Sequence, residues 1–372
     1  MVTEPISAKE RVAHRTPGAP DPVQARVITP VKWWAALGVC FLLLEVYVIA
    51  AWIISGDAKP TPSGPDKAPG WMAIAAHTWE YGGIPAAAVV VYVLLFRQWR
   101  RERRLTTDGI FVITFILLYW QDPLVNYTQN WATFNSELFN LGSWGPQVPG
   151  WLAPQSHLFA EPIIWAWPSY MYAVLSMMLL CVSVMNKAKS RWPSLGKAGL
   201  ISICFAFALV LDLIAELIFI HVGLYAYPGG ISWLTLWHGH YYQLPANEVI
   251  LMAVLFTGWA SLRYFQDDAG HTFAERGLDR MNVSGPKRTG IRFLAIVGAA
   301  NTVMLCCFMI PMQWFALHAG DWPKDFLDRS YLTNHMCGPT TAYACPGPGV
   351  PINRPDSAHI GPDGQLVIPG RP

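Results

Sequence analysis

Charged side chains are scarce in this chain of 372 residues, where Asp, Glu, Lys and Arg together make up 13%. Soluble domains carry roughly 25% charged residues, so this composition excludes an ordinary water-facing surface. The net charge of +2 is small and argues against a nucleic-acid partner, because such proteins present a strongly basic surface. Hydrophobic residues reach 53%. Composition therefore predicts an integral membrane protein.

Motifs of metal, phosphate and redox chemistry are also missing. The sequence contains no CxxC pair, no HExxH and no P-loop or GxGxxG, so zinc-ribbon, iron–sulfur, metalloprotease and nucleotide sites have no support. His238 and His240 with neighbouring carboxylates have a ligand chemistry that zinc or iron accepts. They belong to no larger set of histidines, and we predict neither a metal nor a cofactor.

Long apolar runs fill most of the chain. A membrane-spanning helix needs about 20 mostly apolar residues, and several segments meet this requirement. They are residues 33–55, 71–96, 108–126, 162–185, 198–223, 246–265 and 291–318. The predicted fold class is all-α: a polytopic transmembrane helix bundle with about seven spans.

Basic residues alternate between successive loops. Residues 97–107, 186–197 and 266–290 are rich in Lys and Arg, whereas residues 127–161 and 224–245 contain neither. Because cytoplasmic loops carry the excess of Lys and Arg, we predict a multi-pass protein of the plasma membrane. Its N-terminus is expected inside the cell and its C-terminus outside.

Polar segments that contain many prolines flank the predicted transmembrane domain, residues 32–320. Residues 1–31 are predicted as a disordered cytoplasmic arm. Residues 321–372, rich in Pro and Gly, are predicted as an extracytoplasmic tail of loop or linker character. In that tail, Cys337 and Cys345 either form a disulfide, as an oxidising compartment allows, or remain free thiols.

Ionisable side chains within the predicted spans are concentrated in the half nearer the outside. Such groups cost about 2.5–3.5 kcal/mol at a helix centre on insertion scales, so their positions are informative. Asp212 is expected near mid-membrane with Glu216 one turn away on the same face, and Asp122 lies near the outer end of the third span. Further polar residues of this half are His77, Glu80, Asn126, Glu161 and Glu248. This distribution predicts a polar pocket that opens outward.

Several of these residues also have a structural interpretation. Glu161 and Glu248 begin helices, where a carboxylate interacts favourably with the helix dipole. His77 is equally compatible with a packing role, and Glu45, alone on the first span, with a structural hydrogen bond. Asp122 and the pair Asp212 and Glu216 are harder to explain by structure alone.

Three segments resemble motifs of the AveC-like spirocyclase family, which is named for the membrane protein of avermectin biosynthesis that closes a spiroketal. They are residues 119–127 (YWQDPLVNY), residues 143–151 (SWGPQVPGW) with Asn135 before them, and residues 237–245 (WHGHYYQLP) followed by Glu248. The resemblance extends over roughly residues 30–270. It implies a membrane enzyme that needs no redox cofactor.

Spiroketal closure adds two hydroxyls to a ketone and expels water through an oxocarbenium ion. The reaction requires a general acid, a general base and stabilisation of the cation, and faces of Trp and Tyr attract cations. The same groups suit dehydration or isomerisation, which stay open as alternatives.

The resemblance and the distribution of acids together suggest residue roles. Asp122 or Glu216 is the expected general acid, with electrostatic support from Asp212. His240 and Glu248 are the expected base or orienting groups. The expected substrate-binding residues are Trp120, Asn126, Asn135, Trp144, Glu161, Trp237, His238, His77 and Glu80.

Two other function classes remain open on the sequence alone. A proton-coupled transporter of a lipophilic small molecule also contains intramembrane acids, although the inner half is apolar here and no internal repeat is visible. The second class is a non-catalytic, lipid-binding membrane subunit, but such a function would give the buried carboxylates no role. The preferred prediction is a cofactor-independent membrane enzyme that cyclises or dehydrates a lipophilic polyketide- or terpenoid-like substrate by acid–base chemistry in an outward-facing pocket.

Overall fold

The computed structural model of the protein describes residues 29–339, 341–352, 354 and 357–369. The predicted cytoplasmic arm, residues 1–31, therefore lies outside the described residues except for its last three. Long helices account for most of the described chain. They form one bundle, with the connecting segments gathered at its two ends.

The long helices follow the predicted apolar segments. Their bounds are α1 Pro30–Ser55, α2 Gly70–Glu102, α3 Thr107–Asn126, α4 Ala166–Arg191, α5 Lys197–His221, α6 Ala246–Tyr264 and α7 Gly285–Leu317. Within the described residues, six of them are long and apolar enough to cross a membrane, which confirms the all-α membrane bundle. The remaining predicted span, residues 246–265, corresponds to α6, which has 19 residues and is largely buried among the other helices.

Glycines allow α1 and α7 to approach each other closely. A Cβ atom on Gly38 would lie 2.0 Å from the carbonyl oxygen of Leu294, and one on Gly298 would lie 2.1 Å from that of Trp34. Small residues at helix interfaces permit such backbone contact inside membranes. Any larger side chain at either position would force the two helices apart.

The outward faces of α1 and α2 are apolar and exposed. Ile54 is 84% exposed, Ile74 69% and Val46 66%. Exposed apolar surface of this extent is unfavourable in water but contacts hydrocarbon in a bilayer. These faces therefore match the membrane assignment that composition suggests.

Ion pairs close the end of the bundle at which the Lys- and Arg-rich loops lie, which we call the basic end. The pairs are Arg292–Glu275, Arg263–Asp108 and Arg288–Asp279, with nitrogen–oxygen distances of 2.6, 2.7 and 2.6 Å. Glu275 is fully buried and also accepts a hydrogen bond from the backbone of Thr272. The buried charge of Glu275 at this end is thus paired with an opposite charge.

The opposite end carries the segments without Lys or Arg and the described part of the tail, which together form a folded cap. Four two-residue antiparallel pairs shape it: β1 Thr133–Phe134 with β4 Tyr225–Ala226, β2 Leu141–Gly142 with β3 Ala160–Glu161, β5 Thr235–Leu236 with β6 Leu244–Pro245, and β7 His359–Ile360 with β8 Leu366–Val367. The alternation of loop charge thus correctly separates the two ends. That the cap faces the outside of the cell stays a prediction.

The first part of the tail is folded against the rest of the cap. It contains two short helices, α8 Lys324–Leu327 and α9 Ser330–Thr333, whose Phe326 and Tyr331 are buried in an apolar cluster with Phe159. The Pro- and Gly-rich composition, which suggests a loop or linker, does not predict this packing.

A disulfide joins Cys337 and Cys345 further along the tail. Of the two alternatives left open by the sequence, the bonded one holds in the structure. The loop that it closes spans 8 residues and follows directly on the folded part of the tail.

Candidate active site

A cavity of about 180 Å³ lies between α3, α4, α5, α6 and α7, directly beneath the cap. We call it the chamber. A single enclosed water needs about 10–15 Å³ when volume is measured in this way. The chamber is therefore large enough for part of an organic molecule.

Four carboxylates from three helices line the chamber. They are Asp122 of α3, Asp212 and Glu216 of α5, and Glu248 of α6. The described lining includes no Lys, Arg or His, so no basic side chain stands beside these acids. A cluster of acids without a base is suited to donating and accepting protons in an apolar space.

Aromatic side chains donate hydrogen bonds to three of these acids. The Tyr170 hydroxyl donates to Asp122 Oδ1 at 2.9 Å, the Tyr225 hydroxyl to Glu216 Oε1 at 2.9 Å, and Trp131 Nε1 to Glu248 Oε2 at 3.1 Å. Tyr227 adjoins both Glu216 and Glu248. Each of these bonds fixes one oxygen of its carboxylate and so orients the acid within the chamber.

Two carboxylate oxygens on α5 have no hydrogen-bond donor among the residues that the structure describes. Asp212 Oδ2 and Glu216 Oε2 are both buried without a hydrogen-bond partner, and the two residues are only 2% and 6% exposed. Buried polar atoms in folded proteins are nearly always hydrogen-bonded. These two oxygens, one helical turn apart, are therefore the best-defined points for contact with polar groups of a ligand.

Irregular helical turns place several lining side chains. The segments Tyr170–Val174 of α4 and Leu305–Met309 of α7 are π-helical, and α3 ends in a 3₁₀ helix, Tyr119–Asn126, that contains Pro123. Proline interrupts the regular α-helical ladder, and π-helical turns occur frequently at functional sites. Asp122 lies directly before this proline.

A fifth acid, Glu161, lies behind the lining. The Tyr119 hydroxyl donates to Glu161 Oε2 at 3.0 Å, and Glu161 Oε1 has no partner within the protein. Burial, together with the nearby charge of Asp122, raises the pKa of Glu161 well above its ordinary value. The protonated form of Glu161 is therefore favoured. Tyr119, its hydrogen-bond donor, packs against Tyr170, which donates to Asp122.

The sequence model of the family described as spirocyclase AveC-like matches residues 102–332. This range is more than half of the chain, and it contains all four chamber carboxylates together with α8. The chain belongs to the AveC-like spirocyclase family. No curated protein and no solved structure matches it. The family region ends within α9, so it includes the folded first part of the tail.

Trp120 and Trp144, which belong to the segments that resemble the family, support the walls of the chamber in this AveC-like chain and do not line it. Trp120 Nε1 donates to Asn301 Oδ1 at 3.1 Å, and Trp144 Nε1 donates to the carbonyl of Trp120 at 2.7 Å. Both rings are buried. Their expected role as pocket-lining residues does not match this geometry, because their indole N–H groups are used to join α3 to α7 and to the cap.

Asn126 and Asn135, which were predicted to bind substrate, form hydrogen bonds with backbone groups of the protein. Asn126 Oδ1 accepts from the backbone N–H groups of Trp131 and Ala132 at 2.6 and 3.0 Å. Asn135 Nδ2 donates to the carbonyl of Gly223 at 2.8 Å. Neither amide is part of the chamber lining. Asn126 nevertheless contributes indirectly, because it fixes the turn from which Trp131 reaches Glu248.

His77 and Glu80 tie α2 to the cap. Glu80 is 1% exposed. One of its oxygens accepts from the backbone N–H of Phe139 at 2.7 Å, and the other lies 3.2 Å from His77 Nδ1. Neither residue belongs to the chamber lining, so their expected contact with substrate is not part of this geometry.

The WHGHYYQLP segment lies on the surface of the cap. Trp237, His238 and His240 are exposed, and positive φ angles of 49° at Trp237 and 95° at Gly239 turn the segment outward. The structure does not bring these three residues to the acids. The expectation that His240 acts beside Asp122 and Glu216 is therefore wrong in its geometry.

His240 instead faces the tail, with its Nδ1 3.9 Å from Asp325 Oδ2. Asp325 also accepts from the backbone N–H of Tyr241 and from Arg329, each at 2.9 Å. Burial acts to raise the pKa of Asp325, but these two hydrogen bonds outweigh it and lower the pKa below its ordinary value. We call this set of contacts the tail clasp.

Several chamber residues were not predicted. Trp131, Trp165, Tyr170, Tyr225 and Tyr227 all line it. The sequence held one usable signal, since Tyr225 and Tyr227 are two apart in an extended segment and so share a face. Tyr170 and Trp131 carry no such pattern, because their partners are distant in sequence.

Among the residues that the structure describes, no group of three or more His, Cys, Asp or Glu side chains has the arrangement of a metal site. The predicted independence of metals and cofactors stays a prediction.

Proposed function

We propose that this AveC-like protein is a membrane enzyme that cyclises a lipophilic dihydroxyketone to a spiroketal, with loss of one water, by general acid–base catalysis. The observation that carries the proposal is the convergence of Asp122, Asp212, Glu216 and Glu248 on one apolar chamber without a basic residue. Membership of a spirocyclase family supports the same reaction class. The substrate is expected to reach the chamber from the bilayer of the plasma membrane.

The proposed reaction needs a proton donor at the oxygen that leaves. One hydroxyl of the substrate adds to its ketone to give a hemiketal. A protonated carboxyl then transfers its proton to the hemiketal hydroxyl, the C–O bond breaks, and water departs to leave an oxocarbenium ion. Glu216 is our choice for this acid, because Tyr225 holds one of its oxygens while Oε2 is free of protein partners.

The second half of the reaction needs a proton acceptor. The remaining hydroxyl attacks the oxocarbenium carbon, forms the second C–O bond, and loses its proton to a carboxylate. Asp212 is the proposed acceptor, since its Oδ2 has no donor within the protein and lies one turn from Glu216. Asp122 and Glu248, oriented by Tyr170 and Trp131, contribute negative charge that favours the cation.

Aromatic faces provide further stabilisation of the cationic intermediate. Trp165 and Tyr225 line the chamber and stack with ring centroids 6.0 Å apart and an interplanar angle of 29°. A cation close to an aromatic face gains about 0.5–2 kcal/mol. The chamber thus combines acids with the surfaces that an oxocarbenium ion requires.

The end of the chamber furthest from the cap, which we call its floor, is closed by aromatic side chains, and this supports an enzyme over a transporter. Trp259 lies there, with the rings of Phe115 and Phe256 at centroid distances of 4.9 and 6.1 Å. Ion pairs then close the basic end below. Transport by alternating access requires a route to both sides, whereas this arrangement supports a chamber reached from the cap or the bilayer.

The experiment that tests the proposal is a turnover assay with purified protein in detergent and a synthetic dihydroxyketone. Spiroketal formation is followed by chiral chromatography and mass spectrometry. Glu216→Gln removes the proposed proton donor and is expected to lower turnover by about 10² or more. Asp122→Asn removes negative charge that stabilises the cation and is expected to lower turnover by about 10². Glu45→Gln is the matched control, since Glu45 is an acid of α1 outside the chamber lining, and it should retain the wild-type rate.

Wild-type rates in both Glu216→Gln and Asp212→Asn, the variants of the proposed proton donor and acceptor, would remove the acid–base assignment. Counterflow of a labelled hydroxyketone in proteoliposomes, without product, would instead favour transport.

A further inference from the structure

The chamber has a long axis along the bundle, which α6 shows most clearly. Glu248 lies in the first turn of α6 next to the cap, and Leu255, Phe256 and Trp259 follow on the same lining. At about 1.5 Å per residue, the eleven residues from Glu248 to Trp259 span about 16 Å. The chamber is therefore an elongated space that runs from the cap toward the basic end.

All four acids lie in the half of this space nearer the cap. Glu216 and Glu248 are at the same level, because Tyr227 adjoins both. Asp212 is the deepest acid, four residues and hence about 6 Å below Glu216. The lining thus continues for about 10 Å beyond the deepest carboxylate.

The deeper half is entirely apolar on its described lining. Met177 of α4, Leu255, Phe256 and Trp259 of α6, and Met304 of α7 form it. The only polar atom that these five side chains contain, apart from thioether sulfur, is Trp259 Nε1, and it donates to the carbonyl of Ala300 at 3.0 Å. A polar ligand group placed there would lose water without gaining a partner.

We infer that the substrate is an amphipathic molecule that binds in one orientation, with its oxygenated end at the acids and a hydrocarbon extension of about 10 Å in the deeper half. The identity of the reacting end rests on the proposed function. Met177, Leu255 and Met304 are specificity-determining residues that set the length and width of the extension. Methionine suits this role because its flexible side chain adapts to irregular apolar shapes.

The test compares probes that differ only in the length of one alkyl extension. The probes are dihydroxyketones with a short or a long unbranched chain, and equilibrium binding to the purified full-length protein is measured by isothermal calorimetry in one detergent. Each methylene buried in the deeper half should tighten binding about fourfold, until the extension reaches the floor. Lengthening beyond about 10 Å should then give no further gain.

Met177→Trp fills the deeper half and should weaken binding of the long probe at least tenfold while changing binding of the short probe less than twofold. Leu180→Trp is the matched control: Leu180 lies three residues further along α4 and is 49% exposed on the outer surface. It should leave both affinities unchanged, and the partition coefficient of each probe into the detergent, measured without protein, corrects the free probe concentration. Leu255→Phe provides a second, smaller obstruction if Met177→Trp fails to fold.

Equal weakening of both probes by Met177→Trp and Leu255→Phe, or affinities that do not depend on chain length, would overturn the inference. The outcome is separate from that of the proposed function. Binding that depends on chain length, without any turnover, would support the inferred orientation and contradict the proposed enzymatic function. Turnover combined with binding that does not depend on chain length would support the proposed function and contradict the orientation.

Discussion

The basic end and the chamber differ in whether a buried acid has a basic partner. At the basic end, Glu275 is fully buried and is paired with Arg292 at 2.6 Å. In the chamber, Asp212 and Glu216 are almost as deeply buried, yet no basic residue is among the described lining and one oxygen of each has no protein partner. Burial is therefore similar at the two ends, and the difference between them is the basic partner that Glu275 has and that the described chamber lining does not provide.

This difference has an energetic meaning. A paired buried acid contributes to the fold, because removing one member strands the other charge. An unpaired buried acid costs stability, and functional sites commonly trade stability for activity. Substitutions of the chamber acids should consequently lower turnover, and substitutions of the ion pairs at the basic end should lower the free energy of unfolding.

The largest effect is expected from Asp212→Asn. Loss of this proton acceptor should lower turnover of a dihydroxyketone by about 10²–10⁴-fold, while the melting temperature stays the same or rises because a buried charge is removed. Turnover and thermal unfolding of the same preparation check this. A variant that is unstable but turns over normally once folded would show that Asp212 belongs with the structural acids.

Glu275→Gln tests whether the paired acid of the basic end stabilises the fold. The isosteric amide keeps the turn at Thr272 but leaves Arg292 without its anion, so the free energy of unfolding should fall by about 3–5 kcal/mol. Turnover per folded molecule should be unchanged. Detergent-titrated unfolding measures the loss.

Glu102→Gln is the control for that change. Glu102 pairs with Arg104 at 3.0 Å, but both side chains are exposed, so the loss should stay below about 0.5 kcal/mol. Equal losses in the two variants would mean that the buried pair does not support the fold.

Tyr170→Phe should have a smaller effect on turnover. It removes the hydroxyl that donates to Asp122, and one hydrogen bond contributes about 0.5–1.5 kcal/mol, which corresponds to a roughly twofold to tenfold lower rate. Tyr81→Phe, on the exposed face of α2, should be neutral. A loss as large as that of Asp212→Asn would instead make Tyr170 a proton-transfer group.

The smallest effect is expected at the tail clasp on acidification. The pKa of Asp325 is lower in the folded protein than its ordinary value, so its contribution to cap stability is present above that value, about pH 4, and is lost as pH falls through the folded pKa. Amide exchange in residues 320–337 should therefore be faster at pH 3 than at pH 6, after correction for intrinsic rates. Asp325→Asn should abolish this difference; if the difference persists, another group controls the cap.

The helices were predictable because the apolar runs are continuous and long. Hydropathy locates α1 to α7 to within a few residues at most ends, although α2 continues to Glu102, beyond the predicted end at residue 96. The four-residue spacing of Asp212 and Glu216 also correctly predicts one face, because it is a property of a single helix. These features depend on local sequence.

The cap was not predictable in the same way. Trp131 reaches Glu248 across 117 residues, and the buried Phe326 belongs to a tail whose composition suggests a loop. The predicted topology places His240 at the same end of the bundle as the cap, as observed, but the direction of its loop depends on the backbone at Trp237 and Gly239. Contacts between irregular segments leave no periodic signal in a sequence.

The most direct test of the account is a high-resolution structure of the protein with a non-reactive dihydroxyketone analogue bound. The account predicts that oxygens of the analogue lie within hydrogen-bonding distance of Asp212 Oδ2 and Glu216 Oε2, with its alkyl chain directed toward Trp259. An analogue bound at the exposed loop around His238, with the chamber acids untouched, would contradict it.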